Sequence, residues 1–409
     1  MAAISALTAY EFEREAPKTA PASFMSCDMA VSVAEDLHGI EAEWRSFERE
    51  ADGTVFQSFD WLSTWQRHIG ARGDVRPAIV TGRDERGRML FLLPLAVQRS
   101  AFARELVWLG MPLCDYAGPL LAPNFSQLMD RNAFAALWRE IVAMLAAHPR
   151  LGFDLIRLEK MPAKIGAQHN PFLGLPATRH PSGAYCTPLA PSWDDFYTSK
   201  RSVSTRRRDR SKRKALEALG EIHFVESATE SERLASIDTL MQQKAHSFER
   251  MGVGNLFARP GHADFFRAIS GTGIAHVSRL DIGSHPGAIN LGLMARGRYY
   301  HVLASYTDDT EIARRGPGTI HLMELMAHAV RRGCTAFDFT IGDEPYKRDW
   351  CEGCDTLYDH VSARTPMGAL VAASYRLTMR LKRMIKENPA LWNAFYTSRA
   401  TVGRLLSRS

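Results

Sequence analysis

The sequence predicts an α+β, sandwich-like protein in which one unit of helix, hairpin, helix and strand occurs twice in tandem, followed by a basic helical tail. Three observations carry that expectation. At 409 residues the chain is too long for one ordinary core at roughly 150 residues per domain. Its 45% hydrophobic and 23% charged content is that of globular domains and excludes a disordered or fibrous chain. The order of apolar periods also repeats, down to a short echo: GFDLIRLEK and AFDFTIGDE each follow a helical stretch and contain Asp154 and Asp338. The expected organisation is a loose lead-in over 1–27, a first unit over 28–190, a second over 191–365 and a tail over 366–409.

In the first unit, 31–50 has apolar residues at helical spacing and predicts a helix. Phe59, Leu62 and Trp65 form a second helical stripe. Two apolar runs flank GRDERGR in 76–99, a hairpin signal. RNAFAALWREIVAMLAAH at 131–148 predicts an amphipathic helix, and 153–158 a strand. The second unit opens with a basic helix from about residue 200 towards Gly220. Helices are then predicted at 230–250 and 262–269, and strands near 274–280, 287–295 and 298–306. A helix over 319–332, stopped by Gly333, leads into the strand CTAFDFTIG.

The formal net charge of +6 is unevenly spread. KRSVSTRRRDRSKRK at 200–214 carries nine basic residues and one acid, and the tail eight and one. The rest of the chain is therefore acidic, which argues against a general nucleic-acid binder. The 200–214 segment reads either as a solvated helix face or as a clamp for a polyanion, because arginine forks match phosphate oxygens. The tail reads as a docked terminal helix or as a membrane-surface helix. No apolar run reaches the ~18 residues of a spanning helix, and the start lacks the pattern of a secretion signal. Six cysteines are too few for a disulfide scaffold, so a reducing cytoplasm is expected.

The segment 314–354 concentrates the chemistry. Gly316 and Gly318 precede a helix whose first-turn N–H groups form an anion site, with Arg314, Arg315 and Thr319 beside it. The alternative is an ordinary Gly/Pro turn. Asp338 and Thr340 alternate with Phe337, Phe339 and Ile341 on the following strand. Asp338 is a candidate general base or, equally, a structural carboxylate. Beyond the strand, GDEPYKRDW supplies Asp343, Glu344, Tyr346, Lys347 and Trp350. There Lys347 is a candidate for oxyanion or phosphate charge and Tyr346 for general acid. No Walker loop, HExxH or GxSxG occurs, and Cys351-x-x-Cys354 has no second pair, so no metal is expected.

The run PGTIHLMELMAHAVRRGCTAFDFTIGDEPYKRDW, with FQSFDWLSTW, SVSTRRRDRSKRKALEALGEIHF and HSFERMGVGNLFARPGHADFFRAI, resembles the CelD/BcsL-type acetyltransferases of the GNAT superfamily. The resemblance covers most of residues 28–365. It implies two tandem GNAT-like units, as in the Fem-type transferases, and acetyl-CoA or another acyl-CoA as co-substrate. The donor's pyrophosphate would rest on the backbone of 315–319, with the acyl group between the strands carrying Tyr306 and Asp338. Asp338, Glu344, Tyr346 and Lys347 are then the catalytic candidates, and Tyr306, Asp343 and Trp350 the substrate contacts. Ala313 stands where the usual phosphate loop has Gln or Arg. The first unit has only NFSQLMDRN before its helix, so the donor is assigned to the second unit and a scaffold role to the first.

The resemblance further implies an acyltransferase for a sugar or polysaccharide-precursor acceptor, working as a monomer with an internal pseudo-dimer. Its expected place is the cytoplasm, with peripheral contact to polysaccharide-synthesis machinery at the inner membrane face. The alternatives are aminoacyl transfer from charged tRNA and a non-catalytic GNAT scaffold in a synthase complex.

Overall fold

The computed structural model describes residues 2–4, 22–24 and 29–388. Most of the 1–27 lead-in and the tail beyond residue 388 lie outside the described residues, apart from the antiparallel pair Ala2–Ile4 and Ala22–Phe24. The chain forms two compact units. Among the described residues, one runs to Pro181 and takes in Thr356–Arg383; the other is Ser182–Asp355 with Met384–Asn388.

The first unit is built on a sheet ordered Ala177–Arg179, Leu357–Ala363, Leu155–Pro162, Arg104–Trp108, Met89–Arg99, Arg76–Arg83 and Ala30–Ala34, with Leu120–Leu121 also pairing Met89–Arg99. The predicted hairpin is Arg76–Arg83 with Met89–Arg99, and the predicted helix is Arg131–Ala147. The expected 31–50 helix is corrected. Val31 and Val33 alternate with small residues, so this stretch pairs as an edge strand opposite Gly82 and Val80, and only His38–Ile40, a 3-10 turn, and the α-helix Glu41–Glu50 are helical. The boundaries also differ from those expected. Leu357–Ala363 returns to the first sheet, while Ala184–Pro188 pairs in the second.

Helix Pro366–Glu387 docks one face in this unit, with Ala372, Val371 and Tyr375 against Leu155 and Val361. Gly368 has to be glycine, because an added Cβ would stand 2.0 Å from the Asp154 carbonyl oxygen.

The second unit has a six-stranded sheet ordered Ala184–Pro188, Ala336–Ile341, Arg298–Tyr306, His285–Ala295, Ala275–Ile282 and Ile222–Glu226. Helices Val203–Glu217, Glu230–Arg250, His262–Ser270 and Pro317–Arg331 occur where the sequence predicts them. Ser202 caps the basic helix, accepting from the Thr205 N–H, and Gly333 ends Pro317–Arg331 in the left-handed region at φ 74°. Tyr299 stacks on Phe337 at 5.1 Å in the sheet interior. The two units share a motif: strand–helix–strand closing on a parallel pair, Glu105 to Leu155 in the first and Arg298 to Ala336 in the second. The FD echo is offset from this match, since Asp154 precedes its strand and Asp338 lies inside its own.

Candidate active site

The site is set by where one parallel pairing stops. Arg298–Tyr306 and Ala336–Ile341 pair at Arg298–Ala336, Tyr299–Phe337 and Tyr300–Asp338, and no further. The neighbouring ladder explains the stop. Leu291 faces Leu303 and Gly292 faces His301, so Val302 is an extra residue, a bulge that bends the strand. The buried Asn290 accommodates the bulge by donating from Nδ2 to the Leu303 carbonyl at 3.0 Å. Past this point the strands diverge, and His301, Phe339 and Tyr346 follow one another as ring neighbours, with centroids 6.2 and 6.1 Å apart.

Helix Pro317–Arg331 begins beside this opening. Gly316 is its N-cap at φ 73°, a conformation that favours glycine, and no side chain caps the helix. The expected 315–319 cradle is narrower than predicted. The N–H groups of Arg315, Gly316 and Thr319 donate to Ile312, Ala313 and Gly316 carbonyls, and Pro317 has none. That leaves the Gly318 N–H without an acceptor among the described residues. An added Cβ on Gly318 would meet only Tyr306 Cδ1, at 3.9 Å, which places the half-exposed Tyr306 at this mouth.

Arg314 and Arg315 both bind the Glu311 carboxylate, Arg315 at 3.1 Å. Sequence reading missed Lys212 as a site residue, although it lies in the basic segment read as a possible polyanion clamp. Its Nζ donates to Thr319 Oγ1 at 3.4 Å and lies 3.6 Å from the position a Gly316 Cβ would take.

Other expected residues lie elsewhere, for clear physical reasons. Asp338 is fully buried: Oδ2 accepts from Arg298 at 2.9 Å and Oδ1 from the Thr340 N–H at 2.8 Å. Such a carboxylate locks the strand, in keeping with the structural alternative open in the sequence. Lys347 is also buried. Its Nζ donates to the Ile341 carbonyl at 2.9 Å and pairs with Glu344 at 2.9 Å, so it closes the strand end and is not free for an oxyanion. Asp343 is held by Lys386 at 2.8 Å. Trp350 is a core residue, stacked on Phe196 with the Arg201 guanidinium 4.5 Å from its ring, which corrects its reading as a substrate contact.

Two groups that sequence reading did not single out face this region. His301 is buried and has no hydrogen-bond partner among the described residues; burial, then Lys347 and Lys244, depress its pKa to about 3. Lys244, on Glu230–Arg250, is lowered by burial against the opposing pull of Glu344. The Tyr346 hydroxyl is raised, first by burial and then by Glu344. At neutral pH the site therefore offers an uncharged imidazole and a protonated phenol. No local spacing could have revealed His301 or Lys244, because their environment comes from three elements distant in sequence.

The corresponding mouth in the first unit is closed. Asp130 caps Arg131–Ala147 by accepting from Asn132 and Ala133, so the negative charge already occupies the helix terminus. Phe172 fills the space beside it, edge-on to Trp108, Phe134 and Trp138 at 5.0 Å each.

Residues 203–348 match the family described as acetyltransferase (GNAT) domain. That segment is a GNAT domain. By this content the chain is an acyltransferase, and the match holds the basic helix, the mouth and the Asp338 strand. No curated protein matches the sequence. Among solved structures, the fold is similar to that titled "Crystal structure of FemX", at 12% identity and TM-score 0.57 over 81% of this chain and 98% of that one. It is also similar to a conserved protein of unknown function from Bacteroides thetaiotaomicron, at 10% identity and TM-score 0.50 over 81% and 99%. Likeness at these identities establishes the α+β fold across both units around the GNAT domain.

Proposed function

We propose that the GNAT domain transfers an acyl group, acetyl being the first candidate, from acyl-CoA to an amine or hydroxyl of a sugar or polysaccharide precursor. The carrying observation is the three-residue parallel pairing that ends at Tyr300–Asp338 beside an uncapped helix N-terminus. A pantetheine arm fits between diverging strands by taking up their unpaired backbone groups. Its diphosphate would accept from the Gly318 N–H and Lys212. Arg314 and Arg315 can exchange the exposed Glu311 for phosphate at little cost, because surface ion pairs contribute only ~0–1 kcal/mol. The acceptor attacks the thioester carbonyl and the C–S bond breaks. His301 takes the proton from the acceptor as it becomes cationic, and Tyr346 protonates the departing thiolate. Asp338 and Lys347 are positioning residues in this scheme.

Peripheral membrane contact is part of the proposal. Helix Pro366–Glu387 exposes Met367, Leu370, Leu377, Leu381 and Met384 among Arg376, Arg380, Lys382 and Lys386, a composition suited to an anionic lipid surface. Among the described residues no helix is long and apolar enough to cross a membrane.

A thermal-shift screen with CoA, acetyl-CoA and longer acyl-CoAs tests the donor. A ligand-dependent rise in Tm is expected; no rise with any CoA species removes the reading. Aminoacyl transfer from charged tRNA is the second reading, motivated by the exposed arginines of Val203–Glu217. Steeply salt-dependent tRNA binding without CoA binding would select it.

A further inference from the structure

We propose that Glu226, His276 and His328 form a site for one divalent cation of the zinc type, separate from the acyl-transfer mouth. The three residues come from strand Ile222–Glu226, strand Ala275–Ile282 and helix Pro317–Arg331, and their ligand atoms lie within 4.8 Å of one another. Both histidines are more than nine-tenths buried, and the Nε2 atom of each has no hydrogen-bond partner among the described residues. Each Nε2 faces the Glu226 carboxylate across a gap too wide for a hydrogen bond, 3.8 Å for His276 and 3.9 Å for His328. Two orphaned buried nitrogens around a carboxylate are costly as they stand.

The protonation state of His276 follows from its neighbours. Tyr299 donates its hydroxyl proton to Asn290 Oδ1 at 2.7 Å, so it can only accept from His276 Nδ1, 2.9 Å away. The proton is therefore on Nδ1, and Nε2 presents a lone pair to the gap, the tautomer a metal requires. Gly292 makes this chain possible, because a Cβ there would stand 2.3 Å from the Tyr299 oxygen. The Asn290–Tyr299–His276 chain is thus an outer shell of the kind that fixes metal-binding histidines.

Two imidazoles and one carboxylate are a nitrogen–oxygen donor set suited to zinc. Bond lengths of about 2.0–2.2 Å in tetrahedral geometry put ligand atoms about 3.4 Å apart. The observed 3.8 and 3.9 Å to Glu226 therefore need about 0.5 Å of contraction, which the exposed Glu226 can supply, while the widest separation among the three ligand atoms, up to 4.8 Å, also needs a turn of the histidine side chains. Arg332 lies 3.9 Å from Glu226 and is itself exposed, so it can turn to solvent when the cation enters. Water completes the coordination from the open side. The bound ion would clip the C-terminal end of the donor helix to the sheet.

The test is titration of the full-length, chelator-treated protein with Co²⁺, followed by displacement with Zn²⁺. The expected result is visible d–d absorption saturating at one equivalent and abolished by zinc, together with a zinc-dependent rise in Tm. His328→Gln and the double variant His276→Gln/His328→Gln should lose both signals while keeping wild-type far-UV circular dichroism. Tyr299→Phe should weaken Co²⁺ affinity roughly 10- to 100-fold. Absence of the spectrum in the wild type, or its persistence in the double variant, overturns the proposal. If the double variant does not fold, Glu226→Gln at the exposed edge decides in the same way.

Discussion

Replacing Gly318 with glutamate puts a negative charge where the account places the donor's diphosphate. The new Cβ meets only Tyr306 Cδ1 at ordinary contact distance, so the fold has no reason to change. A carboxylate about 5 Å from a phosphate charge costs about 3 kcal/mol at an effective dielectric of about 20. Solvent at the open mouth roughly halves this, giving about 1.5 kcal/mol, or tenfold in Kd. Calorimetric titration with CoA measures it, with melting temperature as the control for folding. Gly318→Gln, of equal size and no charge, should lose distinctly less, and the gap between the two variants should narrow in high salt. If both variants bind CoA like the wild type, the diphosphate is not at this helix and the reasoning fails.

Further outcomes follow from the same geometry. Lys212→Ala should weaken CoA binding and flatten its salt dependence, read from titrations at several ionic strengths; an unchanged salt slope would remove Lys212 from the site. Arg298→Met removes the charged partner of the buried Asp338 carboxylate, which keeps the Thr340 N–H, and should cost about 1.5–3 kcal/mol in denaturant unfolding, with much of the loss recovered by adding Asp338→Asn. Stability should also fall in acid. His301 and His321 are both held neutral, with pKa values near 3, mainly by burial. The unfolded chain therefore binds more protons below about pH 6.5, and stability present above that pH is lost as pH drops towards 3. The slope is at most about 1.4 kcal/mol per pH unit for each group. His301→Gln should flatten that decline in pH-dependent melts and should also lower turnover. A variant that melts with the wild-type pH profile would show that His301 contributes nothing to it.

The sequence disclosed the elements better than the site. Strong periods such as RNAFAALWREIVAMLAA, and the basic stretch from Val203, became helices where expected because local pattern and tertiary packing agree there. Val31 and Val33 misled because a two-residue alternation inside a longer apolar stretch was read at helical period. The glycines of the mouth were legible because φ at Gly316 is a local demand. The roles of Asp338 and Trp350 were not, since each depends on a partner remote in sequence, Arg298 and Phe196, and that of Lys347 depends on its burial against the Ile341 carbonyl. His301 acquires its character from burial first and then from Lys347 and Lys244, and no motif encodes that.

The most direct measurement is a crystal structure of the protein grown with CoA. The account predicts electron density for the diphosphate within hydrogen-bonding distance of the Gly318 N–H and Lys212 Nζ, with the pantetheine arm running between Arg298–Tyr306 and Ala336–Ile341 towards His301. Density for the nucleotide at any other surface, or diverging strands that close on each other when CoA is present, would contradict it.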